Sequence, residues 1–144
     1  MASGVKVSPE AEATIAQLRS RALRCALFKI NDDCSQIVTD KTYPKEDFGD
    51  GATGEDILDA LKKELPEKEP RYALLDFSFV NEESHARESV VFVAWSPDSS
   101  QVKKKMLYAA SKGYIQKAAG NVKIVQATDP AELDFKEVRS KCLK

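Results

Sequence analysis

Lys103, Lys104 and Lys105 stand in succession at the head of KKKMLYAASKGYIQKAAG, residues 103 to 120. Three neighbouring ammonium groups do one kind of chemistry well: they hold anions or an acidic surface without forming covalent bonds. The stretch is rich in helix formers and ends on glycine, so the lysines fall at a helix N-terminus. Cations there cost roughly a few tenths of a kcal/mol unless a partner anion offsets the helix dipole. Apolar residues follow directly. Such a mixture suits a docking surface, with an apolar anchor for affinity and a basic rim for steering.

Other residues with chemical potential lack the company that a reaction needs. His85 is the only histidine, which removes most metal sites and most imidazole-based acid–base mechanisms. Cys25, Cys34 and Cys142 are odd in number and show no C-x-x-C spacing, so reduced thiols are expected. The stretch GDGATG, with Gly49, Gly51 and Gly54, lacks the G-K-[ST] ending of a phosphate cradle and reads as a loop. Asn31, Asp32 and Asp33 lack the glycine and the terminal glutamate of a calcium loop. Glu82-Glu83 and Asp32-Asp33 are neighbours in turns and read as solvated acids, not a catalytic dyad. No enzymatic activity, metal or cofactor is expected.

The whole chain is consistent with this. Its 144 residues suit one domain, with a short free tail expected over 1–7 and the folded unit over 8–144. Formal net charge is -1, from 22 basic and 23 acidic residues, so neither nucleic acid nor a membrane surface is expected as a general partner. The longest apolar runs, such as SVVFVAW, are too short to span a bilayer, and MASGVKVS lacks the apolar run of a secretory signal.

The elements that position the lysines follow from pattern. SPEAEATIAQLRSR reads as a helix with Ser8 as N-cap, Pro9 at the first position, and Ala11, Ile15 and Leu18 inward. Residues 23 to 40 read as a hairpin around NDDCS. Thr53 and Asp56 form a partial capping box before a stripe of Ile57, Leu58, Leu61 and Leu65. RYALLDFSFV and SVVFVAW read as central strands covered on both faces, with Tyr72 and Trp95 as core aromatics. Asp98 or Ser99 is the expected cap of the basic helix. NVKIVQA is a last strand, and Asp129-Pro130 opens a last helix. The order is helix, two strands, helix, two strands, helix, strand, helix: an α/β (α+β) sandwich on a mostly antiparallel sheet. On a helical wheel, Val102, Met106, Leu107, Ala109, Ala110, Gly113 and Tyr114 form an arc expected to pack on the sheet. Lys105, Lys112, Tyr108 and Ile115 fall on the opposite, outer side.

Taken together, W-S-P-D followed by K-K-K-M-L-Y-A-A-S-K, preceded by R-Y-A-L-L-D-F and M-A-S-G-V, resembles the ADF/cofilin family of actin-binding proteins. The likeness runs from Ser3-Gly4-Val5 to the V-Q-A-T-D-P and E-V-R segments. It implies a five-stranded mixed sheet sandwiched between helices. It implies a cytoplasmic protein that acts as a monomer on actin monomers and filaments, preferring the ADP form, and that promotes filament severing and depolymerisation. By resemblance, Lys103, Lys105 and Met106 form the actin contact at the start of the long helix; for Lys103 and Met106, which the wheel puts on the core side, the resemblance implies the opposite orientation. Ser3, Gly4 and Val5 belong to the same contact, and Lys112 joins it from the outer face. Ser3 matches a regulatory phosphorylation site, where a phosphate adds about two negative charges. Arg87, Glu137 and Arg139 match the filament-binding positions, while Ser89 stands where a second base is usual. That departure implies an alternative, a mainly monomer-binding protein that severs weakly. Phosphoinositides are implied as ligands too, although the basic run after the long helix is thinned to Gln116-Lys117-Ala118.

Overall fold

A computed structural model describes residues 5–48, 53–120 and 122–143. Strand β1 (Lys6–Val7) leads into helix α1 (Pro9–Arg19), whose N-cap Ser8 accepts a hydrogen bond from the Ala11 amide at 3.0 Å. Strands β2 (Leu23–Ile30) and β3 (Gln36–Pro44) form the first hairpin. A single 3-10 turn, Lys45–Asp47, follows. Helix α2 (Gly54–Glu64) opens on a complete capping box between Thr53 and Asp56. Strands β4 (Arg71–Val80) and β5 (Ala86–Trp95) form the second hairpin. Helix α3 (Val102–Ala119), strand β6 (Lys123–Ala127), a 3-10 turn at Pro130–Leu133 and helix α4 (Phe135–Leu143) complete the order.

The sheet runs β1-β3-β2-β4-β5-β6. Its inner pairs are antiparallel, and the outermost pairs, β1 with β3 and β5 with β6, are parallel. Alternation along the strands feeds two cores. Tyr72, Leu74, Phe28 and Phe92 face α1 and α3, where Ile15, Leu18 and Ile115 meet them. Leu75, Phe77, Leu27 and Val93 face the other side, where Ile57, Leu58, Leu61 and Val138 meet them. With both faces covered, β4 and β5 carry the near-continuous apolar runs seen in the sequence.

Several expectations need correction. The sheet has six strands, not five, because β1 contains only two residues, too few for any periodicity to register. The free tail therefore does not include residues 5–7: Val5 is 1% exposed, and the Lys6 amide donates to the Ser35 carbonyl at 3.1 Å. Of the GDGATG loop, Gly49 and Gly51 lie outside the described residues, while Gly54 is the first residue of α2. The segment after Asp129 is not one helix. Asp129 caps the 3-10 turn, and Asp134 then breaks it and accepts from the Lys136 amide at 3.2 Å, starting α4 afresh. Neither Asp98 nor Ser99 caps α3. Its N-cap is Gln101, which makes no side-chain capping bond.

Candidate functional site

The orientation of α3 decides what it offers to a partner. Its buried residues are Tyr108, Ser111, Ile115 and Ala119, one helical stripe. The wheel is right for Leu107 and Tyr114, which pack partly buried against the core, and wrong for others: Tyr108 and Ile115 face the sheet, while Val102 and Met106 are 68% and 67% exposed. Tyr108 can be buried because its hydroxyl has a partner, accepting a hydrogen bond from the Ile30 amide at 2.9 Å. Its carbonyl accepts from the Tyr72 hydroxyl, and the two rings lie 5.1 Å apart. Burial pushes the phenols of both tyrosines above their ordinary titration range. At the far end, Arg19 donates to the Ala119 carbonyl at 2.7 Å, and Gly120, at φ 84, stops the helix. The helix is thus pinned at its middle and C-terminus, and its first two turns project as a rigid ridge.

The lysines on this ridge are not equivalent. Lys104 Nζ donates to both carboxylate oxygens of Glu69 at 2.7 Å, so it is paired within the fold. Lys105 Nζ donates to the Asp98 carbonyl at 2.9 Å, which fixes the ammonium without neutralising it. Lys103 is exposed and has no hydrogen-bond or ionic partner among the described residues. No acidic residue occupies the first turn of α3, and no side chain caps it. The ridge therefore joins unneutralised positive charge to the exposed side chains of Val102 and Met106. Lys112 is half-buried, beside Lys105 and Arg71 on the rim of a 210 Å³ cleft between α3 and the end of the sheet.

Of the N-terminal contact segment, Ser3 and Gly4 lie outside the described residues. Val5 has a different place from the one expected. At 1% exposure it is packed in the core beneath α1 and α3, so it anchors the segment and offers no surface to a partner.

A second group gathers at the other end of β5, roughly 26 Å away along eight residues of strand. Arg87 lies within β5, opposite Phe79, not in the preceding loop. It is exposed and has no partner among the described residues. Arg139 Nε donates to the Val80 carbonyl at 2.7 Å, tying α4 to the end of β4. Glu137 is exposed in the first turn of α4. Ser89 is half-buried on the side of Cys142, whose thiol is pushed upward in pKa by burial. A groove of 820 Å³ lies here, lined by Arg87, Arg139, Arg21, Val80, Phe79 and Phe135 among others. Val80 is 51% exposed.

The structure thus brings Lys103, Lys105 and Met106 together on one ridge and Arg87 and Arg139 around one groove. Sequence reasoning missed Val102, Val80 and Arg21. An exposed valine carries no sequence signal that separates it from a core valine, and Arg21 reaches its groove only through the chain's tertiary path. Among the described residues no group of histidine, cysteine and carboxylate side chains could hold a metal ion. No described helix is long and apolar enough to cross a membrane.

Comparison with known proteins converges on one family. The model of the cofilin/tropomyosin-type actin-binding proteins matches residues 4–143. The chain is 39% identical over 141 residues to Actin-depolymerizing factor 11 of Oryza sativa subsp. japonica, covering 96% of this chain and 91% of that protein. It is 37% identical over 141 residues to Cofilin of Schizosaccharomyces pombe, with 96% and 95% covered. The crystal structure of Plasmodium berghei actin depolymerization factor 2 matches with a TM-score of 0.81 at 27% identity, covering 99% of this chain and 97% of that one. With its sheet, its ridge and its sequence pointing the same way, the chain belongs to the ADF/cofilin family.

Proposed function

We propose that this protein binds actin monomers and filaments and promotes filament disassembly, by severing and by loss of subunits. One observation carries the reading: the first two turns of α3 hold Val102 and Met106 more than two-thirds exposed, beside Lys103, which has no partner among the described residues. An apolar pair left in water on a helix that is otherwise firmly packed makes sense as half of an interface. Lys105 completes the basic rim. No covalent step is needed. A protein that binds one filament conformation, or ADP-bound subunits, more tightly shifts the population toward it, and the filament weakens. Ser3 is the proposed regulatory site, where a phosphate would set negative charge against an acidic partner. Phosphoinositide headgroups would compete for the same lysines. The proposed working form is a cytoplasmic monomer.

Replacing Lys103 and Lys105 together by alanine tests the ridge. Monomer affinity should fall roughly ten- to hundredfold, as for loss of two rim cations. The circular-dichroism melt should move little, because both ammonium groups are solvent-facing. Undiminished monomer binding by the double variant would sink the reading.

Ser89 favours a second reading, a protein that mainly holds monomers and severs weakly, because a half-buried neutral serine stands where a second base is usual. Direct microscopy separates the two. Frequent breaks along growing filaments would exclude the second.

A further inference from the structure

We infer that Arg21 is a filament-binding residue of this protein and supplies, from the end of α1, the positive charge that Ser89 does not. The inference rests on the actin-binding reading above.

The first observation is conformational. Helix α1 ends in a Schellman motif: the Ala22 amide donates to the Gln17 carbonyl and the Arg21 amide to the Leu18 carbonyl, each at 3.0 Å. The residue at the left-handed position of such a motif is usually glycine. Here it is Arg21, at φ 71. A bulky side chain at a left-handed position is uncommon, and such positions cluster where side chains serve a function.

The second observation is where that side chain goes. Its guanidinium reaches across to Glu88 in β5, one residue from Ser89 and one from Arg87, and it stays 57% exposed. It lines the 820 Å³ groove together with Arg87 and Arg139. Three arginines, from the turn after α1, from β5 and from α4, thus surround one apolar floor of Phe79, Phe135 and the exposed Val80. Glu88 is the only acid among the described lining residues, which together carry a surplus of two positive charges, three minus one. An acidic protein surface with an apolar projection fits this chemistry, and the proposed occupant is the side of an actin filament. The pairing with Glu88 explains how a residue on another element can serve. The carboxylate holds the guanidinium at the end of β5 on the α1 face of the sheet, so the charge borders the groove from the side opposite Ser89.

The test is co-sedimentation with actin filaments alongside a monomer titration, using wild type, Arg21→Gly, Arg87→Ala and the double variant Arg21→Gly/Ser89→Lys. Arg21→Gly should weaken filament binding roughly three- to tenfold, the loss typical of one rim cation, and leave monomer affinity unchanged. Glycine relieves the left-handed strain, and an exposed ion pair contributes little, so this variant should melt no lower than wild type. Adding Ser89→Lys should restore most of the filament affinity. Filament binding by Arg21→Gly equal to that of wild type would overturn the assignment, as would a double variant no better than the single one. If wild type itself does not pellet with filaments, the filament reading fails and takes this one with it; loss on Arg87→Ala alone removes Arg21 and leaves the groove.

Discussion

Gly54 illustrates how a single contact sets the sign of a substitution. It is the first residue of α2 and its backbone is not left-handed, so its conformational freedom is not what the site uses. Glycine to alanine within a helix would ordinarily stabilise by about 1 kcal/mol. Here the added Cβ would lie 2.5 Å from the Ser78 carbonyl oxygen and 2.7 Å from the Phe77 ring. One of these is backbone in a central strand and the other a fully buried aromatic, so neither can yield. Gly54→Ala should therefore destabilise by about 1–3 kcal/mol, the usual range for overpacking. Urea denaturation measures this directly, and a variant as stable as wild type would show that α2 can lift off the sheet freely. Tyr108→Phe makes the complementary case. It keeps the ring but leaves the buried Ile30 amide without an acceptor, at a cost of about 1–3 kcal/mol. Actin-monomer affinity should stay at the wild-type level, since Tyr108 faces inward.

At the scale of elements, α1 and α2 were legible and α3 was not, for one physical reason. The inward residues Ala11, Ile15 and Leu18, and likewise Ile57, Leu58 and Leu61, are opposed by polar faces, so periodicity names the buried side. Helix α3 has apolar residues on both sides: Tyr108, Ile115 and Ala119 for the sheet, and Val102, Met106, Ala109 and Ala110 toward solvent. The wheel has little contrast to read: it places Leu107 and Tyr114 correctly but turns Tyr108, Ile115 and Met106 the wrong way, while the family resemblance places Met106 and Lys103 outward. The same double character is what a surface-binding helix needs, so the failure falls on the element proposed to do the work. Its N-terminus follows the same logic. Gln101 provides no capping bond, and no acid offsets the dipole in the first turn. Gln101→Asp should add a cap and a favourable charge and raise stability by about 0.5–2 kcal/mol. It should also weaken monomer binding, because it sets an anion beside Lys103 and Lys105. A rise in melting temperature with unchanged monomer affinity would show that the unprotected N-terminus has no part in binding.

For the whole molecule, the three thiols report how the fold opens. Cys25 is 1% exposed in the core between the sheet, α2 and α4, and burial pushes its pKa up to about 12 from an ordinary 9.0. Tyr43 and Tyr72 are shifted upward by burial in the same way. All of these groups are neutral when protonated, and the folded state keeps them so. Their folded pKa values exceed the unfolded ones, so the stability they contribute is complete below about pH 9 and is lost as pH climbs toward 12. The urea midpoint should be flat near neutrality and fall above pH 9, and Cys25→Val should reduce that fall by roughly one proton's worth of slope. Labelling with a chromogenic disulfide reagent at pH 8 should then resolve three rates. Cys34, exposed at the tip of the first hairpin, reacts at once. Cys142, half-buried against Ser89, reacts more slowly. Cys25 is covered by the core packed between the sheet and α2, so it should react only through global unfolding. Its labelling rate should then follow the urea-derived stability across variants such as Gly54→Ala, whereas that of Cys34 should not. Prompt modification of all three thiols in the native protein would mean that α2 lifts off the sheet locally, and that the fold is not the rigid base on which the ridge of α3 depends.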